Sequence, residues 1–151
     1  MTRTSAFTVF AAAAVIVTAG SPALARDTRH MFPVDAALQT VAAQEKLDKG
    51  VKLYFGGQKH AKTVTNYGEW ATNKKTNAFN KSDREACEWA FLSAVLELQE
   101  RARKQGGNAV INIKSNYKNA ETVSDTEYMC GAGGLMAGVA LKGTVVKLGG
   151  K

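Results

Sequence analysis

Apolar positions recur at steps of three and four residues from Val34 through Leu38, Val41 and Ala42. That spacing predicts one short amphipathic helix over Asp35 to Leu47, entered through Pro33 and ended by Gly50. Val51-Lys-Leu-Tyr-Phe55 then switches to strict alternation, with Val51, Leu53 and Phe55 on one face and Gly56-Gly57 as the stop, so a strand is predicted there. From Gln58 to Lys81 neither period persists. Asn, Thr, Lys and Gly dominate, with Tyr67, Trp70 and Phe79 scattered among them, and apart from a short strand around Thr63 to Tyr67 the segment reads as a long loop. Loops of that length are uncommon in compact domains unless they carry function or lack order.

The strongest local signal follows. Ser82-Asp-Arg-Glu85 is a capping box, in which the Ser82 hydroxyl accepts from the Glu85 amide and Glu85 reaches back. Asp83, Glu85 and Glu88 crowd the positive end of the helix this predicts, Arg101, Arg103 and Lys104 its negative end, and Gly106-Gly107 supplies the stop. Over Asp83 to about Lys104, the residues Cys87, Ala90, Phe91, Ala94, Val95, Leu98 and Ala102 form a broad stripe that must face a core. Trp89, Leu92 and Leu96 form a narrower patch on nearly the opposite side. It is either covered within the monomer, by the first helix or the loop, or a surface for a partner.

Beyond the helix, Asn108 to Tyr117 reads as a strand with Ile111 and Ile113 on one face, residues 118–122 as a turn, and Val123 to Cys130 as another strand. Gly131-Ala-Gly-Gly134 makes a tight connection to a long last strand, Leu135 to Leu148, bent or bulged at Gly138 or Gly143. The order strand, helix, three strands predicts an α+β fold: a single β-sheet of about four strands, one long packed helix, and the short N-terminal helix. The first crossover has the makings of a right-handed βαβ unit.

Residues 1–25 belong to a different category. Arg3 is followed by an apolar run from Ala6 to Ala19, too short to span a bilayer, then by Gly20, Pro22 and the small-x-small pattern of Ala23-Leu24-Ala25. This is the pattern of a cleaved signal peptide, and it predicts a periplasmic or secreted protein whose single domain is 26–151. No cysteine follows the run to carry a lipid. The composition is ordinary for a globular chain of 151 residues, with 45% hydrophobic and 22% charged positions, which excludes collagen-like and wholly disordered readings. A formal charge of +7 directs attention to anionic partners.

Cys87 and Cys130 are the only cysteines. In an oxidising compartment a pair able to meet is bridged, and a disulfide is the expectation. The alternative is metal or thiol-redox chemistry, drawing on His30 and His60 as well, although these four residues lack the paired spacing of zinc motifs. No other cofactor is implied. There is no G-x-x-x-x-G-K-[ST] phosphate loop, and Met136 stands where G-x-G-x-x-G would need its third glycine. Two histidines without a nucleophile motif nearby leave no hydrolase constellation, so a catalytic role is not expected.

The run Glu97 to Ile113, with Gly107-Asn108-Ala109-Val110 joining helix to strand, resembles YbjQ-like and RcsF-like domains. Cys130 with the ending Met136-Ala-Gly-Val-Ala-Leu-Lys-Gly-Thr-Val-Val146 resembles the RcsF-like close. That resemblance implies a helix cysteine bridged to a late strand cysteine, here Cys87 with Cys130. Val51 to His60, Asn73 to Phe79 and Glu88 to Ser93 are similar to small exported bacterial proteins labelled "excinuclease ATPase subunit". The missing phosphate loop contradicts the activity in that label. The chain departs from RcsF-like domains in having one cysteine pair where they have two, and no lipid-attachment cysteine. YbjQ-like domains also imply homo-oligomeric assembly.

Lys59, His60, Lys62, Lys74 and Lys75 fall in one predicted loop with Tyr67 and Trp70, a composition that suits anionic ligands. An exported location favours an envelope protein or an anionic envelope component over nucleic acid and excludes a nucleotide substrate. The sequence therefore predicts a non-enzymatic binding protein of the cell envelope.

Overall fold

The computed structural model describes residues 26–150, so the predicted signal peptide lies outside the described residues. Ten elements follow one another: β1 (Thr28–Pro33), α1 (Val34–Leu38), α2 (Val41–Lys46), β2 (Lys52–Phe55), β3 (Thr63–Asn77), α3 (Asp83–Gln105), β4 (Ala109–Tyr117), β5 (Ala120–Thr122), β6 (Glu127–Ala132) and β7 (Met136–Leu148). The expected sheet of about four strands is therefore wrong. The sheet has seven strands and is mixed, running β1-β6-β7-β4-β2, with β3 added to β7 and β5 to β4. The single long helix of the expectation stands.

β7 organises this sheet. β3 follows one edge of it from Thr63↔Leu148 to Asn77↔Met136. Its other edge is shared, with β6 at Ala137 and Gly138 and β4 from Leu141 to Val146. β2 and β4 pair in parallel, as a strand-helix-strand crossover requires, although β3 as well as α3 lies in the connection. The predicted bulge in the last strand falls instead on its partners, between Asn66 and Gly68 of β3 and between Ile111 and Lys114 of β4. In β4 it centres on Asn112, with φ at 53°, and lets both Val110 and Ile113 face the core under α3. Gly143 serves packing: a Cβ there would stand 2.6 Å from Val110 Cγ1.

The predicted loop Gln58 to Lys81 is mostly strand. β3 escapes a periodicity reading because it is an edge strand whose two faces are both polar in composition. Trp70, Thr72 and Lys74 turn to α3, where Thr72 Oγ1 donates to Glu97 Oε2 at 2.5 Å, Lys74 Nζ lies 2.9 Å from the same oxygen, and the Arg101 guanidinium stacks 4.1 Å over Trp70. The predicted helix over Asp35 to Leu47 is two helices. Thr40 breaks it, accepting from the Ala43 amide at 3.3 Å to cap α2 and donating to the Ala37 carbonyl at 3.0 Å. The predicted turn at 118–122 contains β5, hairpinned onto β4, and the strand expected from Val123 begins only at Glu127. β1, absent from the sequence reading, pairs with β6.

α3 matches its prediction within a residue at each end. The Ser82 side chain accepts from the Glu85 amide at 3.1 Å, and Gly106, at φ 80°, closes the C-terminus in the left-handed conformation that glycine adopts without penalty. Its apolar stripe is buried against the sheet, with Phe91 stacked 4.1 Å from Tyr128. On the second side, Leu92 is 3% exposed beneath α1 and α2 and belongs to the same core, Leu96 is half-buried, and Trp89 is 40% exposed. The patch is thus covered at its centre and open at Trp89.

Candidate functional site

Cys87, at the start of the second turn of α3, and Cys130, in β6, are joined in a disulfide with their Cα atoms 5.9 Å apart. Both are fully buried. His30 faces Cys130 across the β1–β6 ladder, but its Nε2 lies 2.8 Å from Asp83. His60 stands elsewhere, edge-on to Tyr54 with ring centres 5.5 Å apart. Among the described residues no three metal-ligating side chains gather. No helix among them is long and apolar enough to cross a membrane.

The five predicted anion-binding residues do not form one cluster. Lys59, His60 and Lys62 lie in the exposed segment between β2 and β3, anchored where Asp125 takes the Gly57 amide at 2.7 Å and the Gly149 amide donates to the Lys62 carbonyl at 2.9 Å. Lys74 and Lys75 lie near the far end of β3, roughly 40 Å away at the rise of an extended strand. Strand alternation then sends those two to opposite faces. Lys74 turns to Glu97 on α3, and Lys75 runs beside Gly138 on the face away from the helix.

The helix-free face carries two features invisible in the sequence. Lys114 and Lys142 alternate with Glu69 and Glu121, at separations of 2.8 to 3.4 Å, in a closed ring of four ion pairs. The two ammonium groups hold Glu121 down to about 2 through direct hydrogen bonds, Lys114 contributing most, and they lower Glu69 as well. All four charges there are spent on one another.

Toward the β6–β7 turn the same face opens into a groove of about 610 Å³, lined by Lys75, Tyr117, Leu135, Met136, Gly131 and Gly138, with Arg26 and Asp27 at one side. Arg26 donates to both oxygens of Asp83, at 3.0 and 2.7 Å, and to the Gly133 carbonyl at 3.0 Å. This, with a smaller contribution from His30, pulls the Asp83 carboxyl below its usual range. Tyr117 donates to Asp27 at 2.6 Å; burial, then that bond, pushes the phenol up to about 12. Lys118 pairs with the other Asp27 oxygen, and that bond is the main reason the Asp27 carboxyl is lowered. Among the described residues Lys75 has no ion-pair partner, nor do Lys59 and Lys62.

Of the groove residues the sequence reading named only Lys75 as a binding candidate. Gly138 was visible as a glycine inside a strand, and that is the one signal that could have led to the groove. No family model, curated protein or solved structure matches this chain.

Proposed function

We propose that this is an exported, non-catalytic protein that binds an anionic component of the cell envelope. The observation that carries the reading is an asymmetry in how its charges are used. Asp27, Asp48, Glu69, Asp83, Glu97, Glu100 and Glu121 are engaged in internal ion pairs, which leaves six acidic residues outside such pairs against eleven Lys and Arg among the described residues, Lys59, Lys62 and Lys75 included. The surplus charge left for a partner is cationic. The leader-like residues 1–25 and the resemblance to small exported proteins support the location, and a fully buried disulfide accords with an oxidising compartment.

The test is co-sedimentation with vesicles of phosphatidylglycerol and with phosphatidylcholine controls at low and high salt. The expected result is binding to the anionic vesicles alone, weakened by salt. It falls in the Lys59→Gln/Lys62→Gln double variant and is unchanged in Lys74→Gln, whose ammonium already serves Glu97. Equal sedimentation with both lipids, or with the double variant and the native chain, overturns the reading.

A further inference from the structure

Four glycines border the groove at the β6–β7 turn, and they are not there for the same reason. At Gly131 a Cβ would meet Tyr117 Oη at 1.8 Å, and at Gly133 it would meet the Arg26 carbonyl oxygen at 2.9 Å, so packing excludes a side chain from both. Gly138 and Gly134 lack that explanation. A Cβ on Gly138 would make an ordinary 3.5 Å contact with Lys75 Cγ, one on Gly134 would meet nothing within 4 Å, and neither residue has a positive φ. Gly134 lies in the β6–β7 turn, where glycine is ordinary, but Gly138 lies inside β7. A glycine within a strand gives up packing and conformational stability, and where neither backbone nor neighbour demands it, the close approach of another molecule is the reason that is left.

The surroundings say what kind of molecule. Leu135 is 67% exposed and Met136 49%, large apolar side chains standing in solvent at the rim. Phe79, 59% exposed, is brought beside them by the hydrogen bond from the Ala78 amide to the Leu135 carbonyl. Lys75, free of any ion pair among the described residues, lies along the glycine floor. Arg26 and Asp27, by contrast, are committed to Asp83 and to Tyr117 with Lys118. An apolar trough of several hundred Å³ with one uncommitted cation is the shape and chemistry of a small-ligand site.

We infer that this groove binds a single alkyl chain carrying one anionic head, the chain lying over Gly138 between Leu135, Met136 and Tyr117 and the head meeting Lys75. The source is a free fatty acid or a lysophospholipid, which share this chemistry. The inference rests on the reading above for the anionic nature of the ligand, but not on the Lys59–Lys62 end of the molecule.

Calorimetric titration of protein recovered after export tests it, with octanoate, decanoate and dodecanoate below their micellar concentrations, decanol as the uncharged control, and lyso-phosphatidylglycerol as the second source. Affinity rises about two- to fourfold per added methylene, and decanol binds more weakly than decanoate. Lys75→Gln costs about fivefold for decanoate and leaves the chain-length increment unchanged. Gly138→Val fills the floor and abolishes binding. Should that variant fold poorly, Leu135→Glu, at an exposed position, sets a negative charge on the rim and weakens decanoate at least tenfold. Tighter binding of the lysophospholipid than of dodecanoate assigns the lipid source, and the reverse assigns the free acid. Affinities that do not depend on chain length, or decanoate binding undiminished in Gly138→Val or in Leu135→Glu, overturn the groove. Vesicle binding lost in Lys59→Gln/Lys62→Gln would persist in that case, so the two readings fail separately.

Discussion

The Tyr117 hydroxyl occupies the space that a side chain on Gly131 would need: a Cβ there would lie 1.8 Å from Oη and 2.1 Å from Cζ. Tyr117 ends β4 and Gly131 belongs to β6, so this contact joins two strands that do not pair with each other, and the bond from Tyr117 to Asp27 adds the segment leading into β1. Gly131→Ala is expected to destabilise the fold by about 1–3 kcal/mol, the ordinary cost of overpacking. In a Tyr117→Ala background the same change should cost close to nothing. Urea denaturation of the two single variants and the double measures this coupling, and additive losses would show that the cost of Gly131→Ala does not come from the Tyr117 ring.

The Cys87–Cys130 bridge closes a loop with a sequence separation of 43, and both sulfur-bearing residues are buried. By the chain-entropy estimate its removal costs about 4 kcal/mol, a large share of the stability of a domain this size. The Cys87→Ala/Cys130→Ala variant should therefore unfold at markedly lower urea and with a steeper slope, because the unlinked unfolded chain exposes more surface. Native protein should resist alkylation until it is both reduced and denatured. Rapid modification of the native chain by an alkylating reagent without reductant would mean that the cysteines are free.

Leu92 and Trp89 occupy the same side of α3 but differ in what covers them. Leu92→Asp would bury an unpaired carboxylate beneath α1 and α2, a change expected to cost about 3–5 kcal/mol. Trp89→Ala, at a 40% exposed position, should cost about 1 kcal/mol or less from lost packing. Thermal midpoints separate the two. A Leu92→Asp chain as stable as the native one would mean that α1 and α2 do not seal this side.

What the sequence made legible follows from where apolar periodicity survives. α3 carries its own start and stop and a face of Cys87, Ala90, Phe91, Ala94 and Val95, while β4 and β7 alternate or run apolar because both are interior strands. β3 has no such record. As an edge strand it places Thr72 and Lys74 against α3 through polar contacts, and its other face meets water and the ion-pair ring. Thr40 splits the first helix through two hydrogen bonds that no periodicity encodes. Gln99 was absorbed into a helix as an ordinary polar residue, yet it is buried and holds the turn before β2 through the Asp48 amide and the carbonyls of Asp48 and Val51. The groove was least legible of all. It unites Lys75, Tyr117, Gly131 and Gly138 from four strands, and only the register of β3, β6 and β7 brings them together.

The ion-pair ring on the helix-free face gives the fold a defined response to acid. Glu121 titrates near 2 in the folded chain against 4.5 when unpaired, because Lys114 and Lys142 both donate to it. Asp83, Asp27 and Glu69 are lowered in the same direction by their own cationic partners. Between those two values the unfolded chain binds protons that the folded chain does not, so acid favours unfolding. The stabilising contribution is complete above about pH 5 and is lost as pH falls from 4.5 toward 2. Urea midpoints should accordingly be flat from about pH 7 to 5 and drop steeply below. Glu121→Gln removes the charge on which both lysines converge; at neutral pH it should lower the midpoint, while the acid slope becomes shallower. Raising the salt concentration should shrink the difference between native and variant, since the carboxylates of the ring are part-exposed. A Glu121→Gln chain with the native acid slope would show that these pairs do not act on stability, leaving Asp27, Asp83 at the start of α3, Glu97 and Glu100 to carry the acid response.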